Sequence, residues 1–472
     1  MSQSIITTTE QLNDQFEHMY ALSRKSPLNS WTDREALLDS LENKLSDNKQ
    51  VFADTISQDF GHRSKDETQF AELFPSFQGI AHAKKHGKSW MKTRRVGISA
   101  LYLPAHNEIQ PQPLGLVGIM VPWNYPLFLA IGPMIDALAA GNRIMIKMSE
   151  SAPLFAEAFA QAVSEHFSAD MVSVVVGDVE LAVAFSELAF DHLLYTGSTS
   201  VGKKVMAAAA PNLTPVTLEL GGKSPVIVLD DVNLENVVNR VMMGKTLNAG
   251  QTCIAPDYVL INSSLQSKFV KLAKEWVKKH YPNIANNEDY THIINDSQFR
   301  RIQGYLDKLP NEQVVPLTEV TANSETRLMP PVIVVNPDPE SDVMQNELFA
   351  PVLPLVHVNG LRDAIEFVND RPRPLALYVF GEDNDDIEYV RNHTVSGGVG
   401  VNEVIMHVAQ HELPFGGVGL SGIGAYHGKW GFERMSHMKP IFVQSKFNAM
   451  NVMLPPYSAL FKKGLKFLTY RA

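Results

Sequence analysis

Cys253 is the only cysteine in 472 residues, and it stands in the run LNAGQTCIAP. A thiol with no partner for a disulfide is ordinarily a small buried hydrophobe. Its setting points to chemistry instead: Gly250, Gln251 and Thr252 make a polar approach to the sulfur, and Pro256 soon ends any helix. A thiolate nucleophile attacks a carbonyl carbon, and it then needs donors for the developing oxyanion and a base that brings in water. Three other segments carry such groups. In VTLELGGKSP, Glu219 borders two glycines that permit close backbone approach and partial desolvation of its carboxylate. In VPWNYP, prolines mount Asn124 in a strand-to-helix turn as an amide donor. In NELFAP, Glu347 and Phe349 set a ribose-binding acid beside an aromatic wall. Each has a plainer reading alone, Glu219 as a solvated charge, Asn124 as a helix cap and Phe349 as core. Their occurrence together with Cys253 is what favours a site.

Three further motifs mislead. GSTSVGKK, from Gly197 to Lys204, nearly matches a triphosphate-binding loop, but Lys204 occupies the position where a hydroxyl must ligate magnesium. As an amide-rich turn into a helix it still suits a phosphate group of some kind. GVGLSG, from Gly417 to Gly422, spells a dinucleotide fingerprint, yet it lies near the C-terminus and opens no strand-helix-strand unit, so turn-forming glycines are expected. His407 and His411 in HVAQHE have zinc spacing, but Val408 and Gln410 stand where a zinc hydrolase carries its glutamate, and no metal is expected.

The elements that must position these residues follow from periodicity. The first ninety or so residues read as helices, for example WTDREALLDSLENKLSDNKQVFADTISQDFG with Thr32 or Asp33 as its cap. From GLVGIMVP onward short β-rich runs alternate with helical ones through HLLYTG, and a second series begins at PVIVLD. Such alternation gives parallel sheets covered by helices on both faces, in two packed α/β domains. With 45% hydrophobic and 19% charged residues and a net charge of -10, the chain reads as an ordinary acidic globular protein and not as a nucleic-acid binder. The start MSQSIITTTEQLND lacks the regions of a signal peptide, so a cytoplasmic protein is expected. In the tail, ALFKKGLKFLTYRA mixes apolar and basic residues in an amphipathic helix, expected to dock on the protein's own body, with membrane contact as the alternative.

The segments VPWNYPL, KMSE, YTGSTSVG, LELGGKSP, GQTCIAP, NELFAPVLP and LPFGGVGLSG, in this order, resemble the aldehyde dehydrogenase superfamily. Among its branches, PFGGVGLSGIGAYHGKWGFERMSH is similar to the class 3 and fatty aldehyde group. QDFGHRSKDET and QPLGLVGIMVPWNYPLFLAIGP look most like the bacterial coniferyl aldehyde dehydrogenases.

The resemblance implies a modified Rossmann cofactor domain (1–94 and 114–219), an α/β catalytic domain (220–437), and a small β oligomerisation element with the tail (95–113 and 438–472). It implies Cys253 as nucleophile, Asn124 and the Cys253 backbone N–H as oxyanion donors, and Glu219 as the base for hydrolysis. NAD, with NADP possible, would be held by Trp123, Lys147, Glu150, Gly197, Ser198, Gly202, Glu347 and Phe349. Two departures, Met148 for the family's common proline and Ala350 for its glycine, fall beside these contacts. Glu150 would repel a 2′-phosphate and favour NAD. The expected substrate is coniferyl aldehyde or a related aromatic aldehyde, with a medium or long aliphatic aldehyde as the alternative. An acylating enzyme or an inactive binding module stands further off, and a homodimer is expected.

Overall fold

The computed structural model describes residues 5–28, 30–448 and 450–469. Three sheets organise the chain. The first has the strand order Ile5–Ile6, Val172–Val175, Arg143–Lys147, Leu116–Met120, His192–Gly197, Val216–Leu220 and Gly422–Ile423. All pair in parallel except Gly422–Ile423, which runs antiparallel to Val216–Leu220. Leu116–Met120 and Arg143–Lys147 are buried at every residue, as expected for central parallel strands covered on both faces. From Leu116–Met120 the chain works outward through Arg143–Lys147 to Val172–Val175, then returns to the other flank at His192–Gly197. That reversal opens a crevice at the carboxyl ends of Leu116–Met120 and His192–Gly197, where such sheets bind ligands.

The second sheet has the order Val314–Pro316, Val332–Val335, Val352–His357, Tyr258–Ile261, Pro225–Val228, Ala376–Phe380 and Gly398–Val401, with only Val314–Pro316 antiparallel. Cys253 lies just before Tyr258–Ile261, the Gly221–Gly222 pair before Pro225–Val228, and Glu347 with Phe349 before Val352–His357. These three strands are neighbours, so their leading loops converge at the amino edge of the second sheet. That edge faces the carboxyl edge of the first, because Gly221 and Gly222 carry the chain directly from one sheet to the other.

Helix Trp31–Asp59 packs on Pro153–His166 and Phe128–Ala140. Its cap is Ser30, whose Oγ accepts from the Asp33 amide at 3.1 Å, and not Thr32 or Asp33, which fall in the first turn. Starting there lets Trp31 bury over Gly87, where any Cβ would sit 2.2 Å from the indole. The opening segment also contains a strand: Ile5–Ile6 extends the first sheet beside Val174 and Val175.

Residues 220–437 do not all lie with the second sheet. Gly422–Ile423 returns to the first, and helix Gly428–Arg434 packs on Phe128–Ala140; two-residue strands give no period from which sequence could assign a sheet. The third sheet is antiparallel, with Ser436–Val443 and Arg94–Val96 as edges on either side of His106–Pro113.

The tail forms the expected helix over Ala459–Thr469, but the apolar face expected to dock stays largely exposed, with none of its described residues buried. Leu460, Phe461, Leu465, Phe467 and Leu468 share one face of this eleven-residue helix and Lys462, Lys463 and Lys466 the opposite one, with Gly464 leaving a gap in the apolar face. Residues 470–472 of that tail lie outside the described residues. No described helix is long and apolar enough to cross a membrane.

Candidate active site

The loop that carries the thiol is built on three consecutive left-handed residues, Asn248, Ala249 and Gly250, with φ of 51°, 51° and 73°. Gly250 is required there, since a Cβ would stand 2.5 Å from the Ala350 carbonyl oxygen. Gln251 is fully buried and pins the turn: its amide nitrogen donates to the Asn248 and His292 carbonyls, both at 3.0 Å, and its oxygen accepts from the Ile294 amide at 3.0 Å. Thr252 and Tyr125 share a hydroxyl hydrogen bond of 2.7 Å. Asn124, only 4% exposed, donates from Nδ2 to the Gln251 carbonyl at 3.2 Å. An amide nitrogen carries two hydrogens, so one remains for a further acceptor.

Cys253 is partly exposed, and the backbone N–H groups of Cys253 and Ile254 both turn toward its sulfur. Burial, and then the negative fields of Glu219 and Glu347, still hold the thiol well above its usual range. The sulfur thus rests protonated, with two amide donors and two carboxyl groups around it.

Glu219 is 1% exposed in Val216–Leu220, and its Oε1 has no hydrogen-bond partner among the described residues. Burial first, and then Glu347, raises its pKa well above the carboxylate range. Glu347 accepts from the Gly222 amide at 3.1 Å and packs so closely on Gly221 that a Cβ there would meet its carboxyl at 2.1 Å. Burial, aided by Asp257, pushes Glu347 up to about 8 against the pull of the Gly222 amide, Lys223 and Arg301. Phe349 has a left-handed backbone (φ 52°), uncommon for an aromatic residue, and its ring meets Trp123 edge-on at 5.4 Å. Phe60 flanks Trp123 on another side at 6.1 Å.

The remaining expected residues line the crevice of the first sheet. Gly197 ends its strand with no room for a Cβ, which would lie 2.2 Å from the Tyr195 hydroxyl. Ser198 caps helix Thr199–Ala209, whose N-terminus therefore opens on the crevice. Gly202 lets that helix pack against Leu220, where a Cβ would approach to 2.6 Å. Glu150 is exposed at the end of Arg143–Lys147, close enough to raise the Tyr195 phenol, which burial chiefly holds near 12. Lys147 is not free: its ammonium donates to the Met148 and Gly177 carbonyls at 2.7 and 2.9 Å. Met148 and Ala350 are both buried. The structure thus gathers Cys253, Glu219, Glu347 and Asn124 at one point and sets Trp123 with Phe349. Gly197, Ser198, Gly202 and Glu150 lie along the crevice, with Lys147 tied into its floor.

Of the apparent motifs, GVGLSG forms the turn onto Val216–Leu220, with Gly419 and Gly422 at φ of 69° and 153°. His407 and His411 flank the end of the short turn Met406–Ala409, packed by Tyr378 and Phe415 in one case and by His82 and His427 in the other.

Residues 5–441 match the model of the aldehyde dehydrogenase family. The chain belongs to the aldehyde dehydrogenase family. It is 47% identical to a probable coniferyl aldehyde dehydrogenase of Pseudomonas aeruginosa, over 98% of this chain and 97% of that one. It is 40% identical to a dimeric, NADP-preferring aldehyde dehydrogenase of Rattus norvegicus, over 89% and 92% of the two chains. The substrate-bound structure of AldH from Staphylococcus aureus superposes with a TM-score of 0.92 at 34% identity, covering 97% and 99%.

Several residues of this aldehyde dehydrogenase site escape the sequence reading. Arg63 and Glu72 form a fully buried ion pair of 2.8 Å. Arg63 also donates to the Asn124 carbonyl at 3.1 Å, and Glu72 accepts from the Leu127 and Phe128 amides, so the pair fixes the turn that bears Asn124. Glu67, pushed up to about 7 mainly by burial, accepts from the Asn248 amide and from Thr291 and braces the thiol loop. Tyr378 donates to the Ile254 carbonyl at 2.6 Å, and Lys223 pairs with Asp257 to tie the Glu219 loop to the Glu347 loop. The one available signal was the polar density of GHRSKDETQFAE, a stretch in which Arg63 and Glu72 are buried and Glu67 is half-buried, while Lys65 and Asp66 stay exposed.

Proposed function

We propose that this chain oxidises an aldehyde to the carboxylic acid with NAD, accepting NADP as well, and that Cys253 carries the acyl group. The observation that carries the reading is the buried Glu219 carboxyl, one oxygen of which has no hydrogen-bond partner among the described residues, beside the only thiol. The partly exposed thiol gives its proton to solvent water, and its sulfur attacks the aldehyde carbon, forming a C–S bond as the carbonyl π electrons move onto oxygen to give an oxyanion. The second Asn124 N–H and the Cys253 N–H stabilise that oxyanion. The nicotinamide, when bound, supplies the hydride acceptor that converts the thiohemiacetal to a thioester. Glu219, as carboxylate, then takes a proton from water as the water oxygen adds to the thioester carbon, and the C–S bond breaks to release acid and thiolate.

The residues present fit the cofactor. The helix N-terminus at Ser198 suits a pyrophosphate, and the Glu347 carboxyl, held over Gly221, suits the nicotinamide ribose. Trp123, Gly197, Gly202 and Phe349 would line its path. Lys147 and Glu150 would meet the adenosine ribose, where the exposed Glu150 carboxylate favours NAD over a 2′-phosphate.

The aromatic surroundings, Trp123, Phe60, Phe349 and Tyr125, support an aromatic substrate of the coniferyl aldehyde kind. The exposed edge Ser436–Val443 supports a homodimer formed through the third sheet. A reducing cytoplasm suits an enzyme that depends on a free thiol.

The test follows NADH absorbance with purified protein, NAD, coniferaldehyde, benzaldehyde and an aliphatic alkanal, with and without coenzyme A. Turnover without coenzyme A, and at least about tenfold higher kcat/KM for coniferaldehyde than for the alkanal, is expected. Activity only with coenzyme A would move the chain to acyl transfer, and a preference for the alkanal would overturn the aromatic reading.

A further inference from the structure

Helix Phe74–Trp90 carries His82 and His86 one turn apart, so both imidazoles lie on one face. Glu412 reaches that face from the loop before Phe415, 330 residues on, and its Oε1 lies 2.9 Å from His82 Nε2. One nitrogen of each imidazole and one carboxylate oxygen all fall within 4.8 Å of one another. The two rings stand 4.6 Å apart, and a fourth side, toward Glu412, is open to solvent because that residue is 78% exposed.

The arrangement is incompletely satisfied as it stands. His82 Nδ1 and the neighbouring His411 Nε2 are buried and have no hydrogen-bond partner among the described residues, and the His82 and His411 rings stack at 5.6 Å. Gly428 keeps this corner open, since a Cβ there would stand 3.2 Å from the His82 ring. Neither unpartnered atom is the nitrogen that His82 turns to Glu412, so with Nδ1 unpartnered the tautomer is not fixed and His82 Nε2 can present its lone pair to an ion.

The geometry points to a divalent transition-metal site of the zinc class formed by His82, His86 and Glu412. Two imidazoles and one carboxylate are the ligand types that zinc, nickel and copper prefer, whereas magnesium and calcium take oxygen donors. Tetrahedral ligands at about 2.1 Å from an ion stand about 3.4 Å from one another, so a small closure of the present spacing completes the set, with water at the fourth position. The ion would join the N-terminal helix to the loop of His411 and Glu412. That loop starts at Ile405, whose amide donates to the same Tyr378 hydroxyl that holds the Ile254 carbonyl beside the thiol. The site is separate from Cys253 and independent of the proposed reaction.

The test uses the metal-free full-length Cys253→Ser chain, so that the thiol cannot compete as a zinc ligand. Calorimetric titration with Zn2+ is expected to show one saturable site, absent with Mg2+. Glu412→Gln, at an exposed position, should weaken it more than about tenfold, and His82→Ala with His86→Ala should abolish it. Trp90, 5.5 Å from His82 and 6.2 Å from His86, reports the location: Cu2+ should quench its fluorescence, and Trp90→Phe should remove that quenching. Zinc affinity unchanged by Glu412→Gln, or no saturable binding to the folded parent, would overturn the assignment.

Discussion

Replacing Glu219 by Gln keeps the shape of a 1%-exposed side chain and removes the ability to take a proton. Its Oε1 has no partner among the described residues, so no neighbouring donor is orphaned by losing that oxygen's charge. The one other carboxyl in the cluster, Glu347, is held by the Gly222 amide and pressed on Gly221, a poor position from which to take over. The loss should therefore fall on hydrolysis, while removal of the Glu219 charge eases ionisation of the thiol. A positioned general base contributes roughly 100- to 10,000-fold, which corresponds to about 3–5 kcal/mol of barrier. In a rapid-mixing experiment the variant should still release a burst of NADH close to one per active site, followed by steady turnover slowed by that factor. Hydroxylamine, which needs no base to attack a thioester, should restore much of the rate. The pH dependence has a defined sign. Burial and Glu347 raise the Glu219 pKa, so its working carboxylate form accumulates only as pH rises. Wild-type steady-state turnover should climb with pH through that raised value, and Glu219→Gln should lack the climb. Loss of the burst together with turnover, or steady turnover equal to wild type, would refute the assignment of Glu219 as hydrolytic base.

Asn124→Ala removes an oxyanion donor and should lower kcat roughly 100- to 1,000-fold while leaving NAD affinity nearly unchanged, as measured by cofactor titration. Gly250→Ala forces a Cβ to 2.5 Å from the Ala350 oxygen at φ 73°; turnover and thermal stability should both fall, and an unchanged melting temperature would contradict the required left-handed turn. Lys44 is fully buried, with its Nζ lacking a hydrogen-bond partner among the described residues and lying 3.6 Å from the centre of the Phe159 ring. Burial lowers its pKa well below the usual lysine range, so the folded chain binds fewer protons than the unfolded one between the lowered value and 10.5. Wild-type stability should rise with pH across that window by at most about 1.4 kcal/mol per unit, and Lys44→Met should abolish the rise and be the more stable protein at neutral pH. Calorimetric melting curves of the two proteins that stay parallel from roughly pH 6 to 9 would refute this.

The chemical core of the site is legible in local sequence because its parts are local. A glycine before a nucleophile, glycines after an acid and prolines around an amide each act within a few residues, and short β-rich runs alternating with helical ones announce parallel sheets without reference to distant segments. The tail shows the limit of such reading: its period foretold the helix Ala459–Thr469 but not what it would lie against, since docking depends on a second surface. Only the tertiary structure placed Arg63, Glu67 and Glu72 behind the thiol and Asn124 loops, with Arg63 and Glu72 buried as a pair and Glu67 accepting from the Asn248 amide. It also carried Gly422–Ile423 back to the first sheet and brought Glu412 to His82. The physical reason is the same in each case. Residue type and local spacing decide which groups can donate, accept or attack, whereas desolvation, an unpartnered oxygen and the field of a neighbouring carboxylate arise only when remote segments pack together. Cys253 could be chosen from sequence, but the two carboxyl groups that raise its pKa and the braces that aim it exist only in the fold.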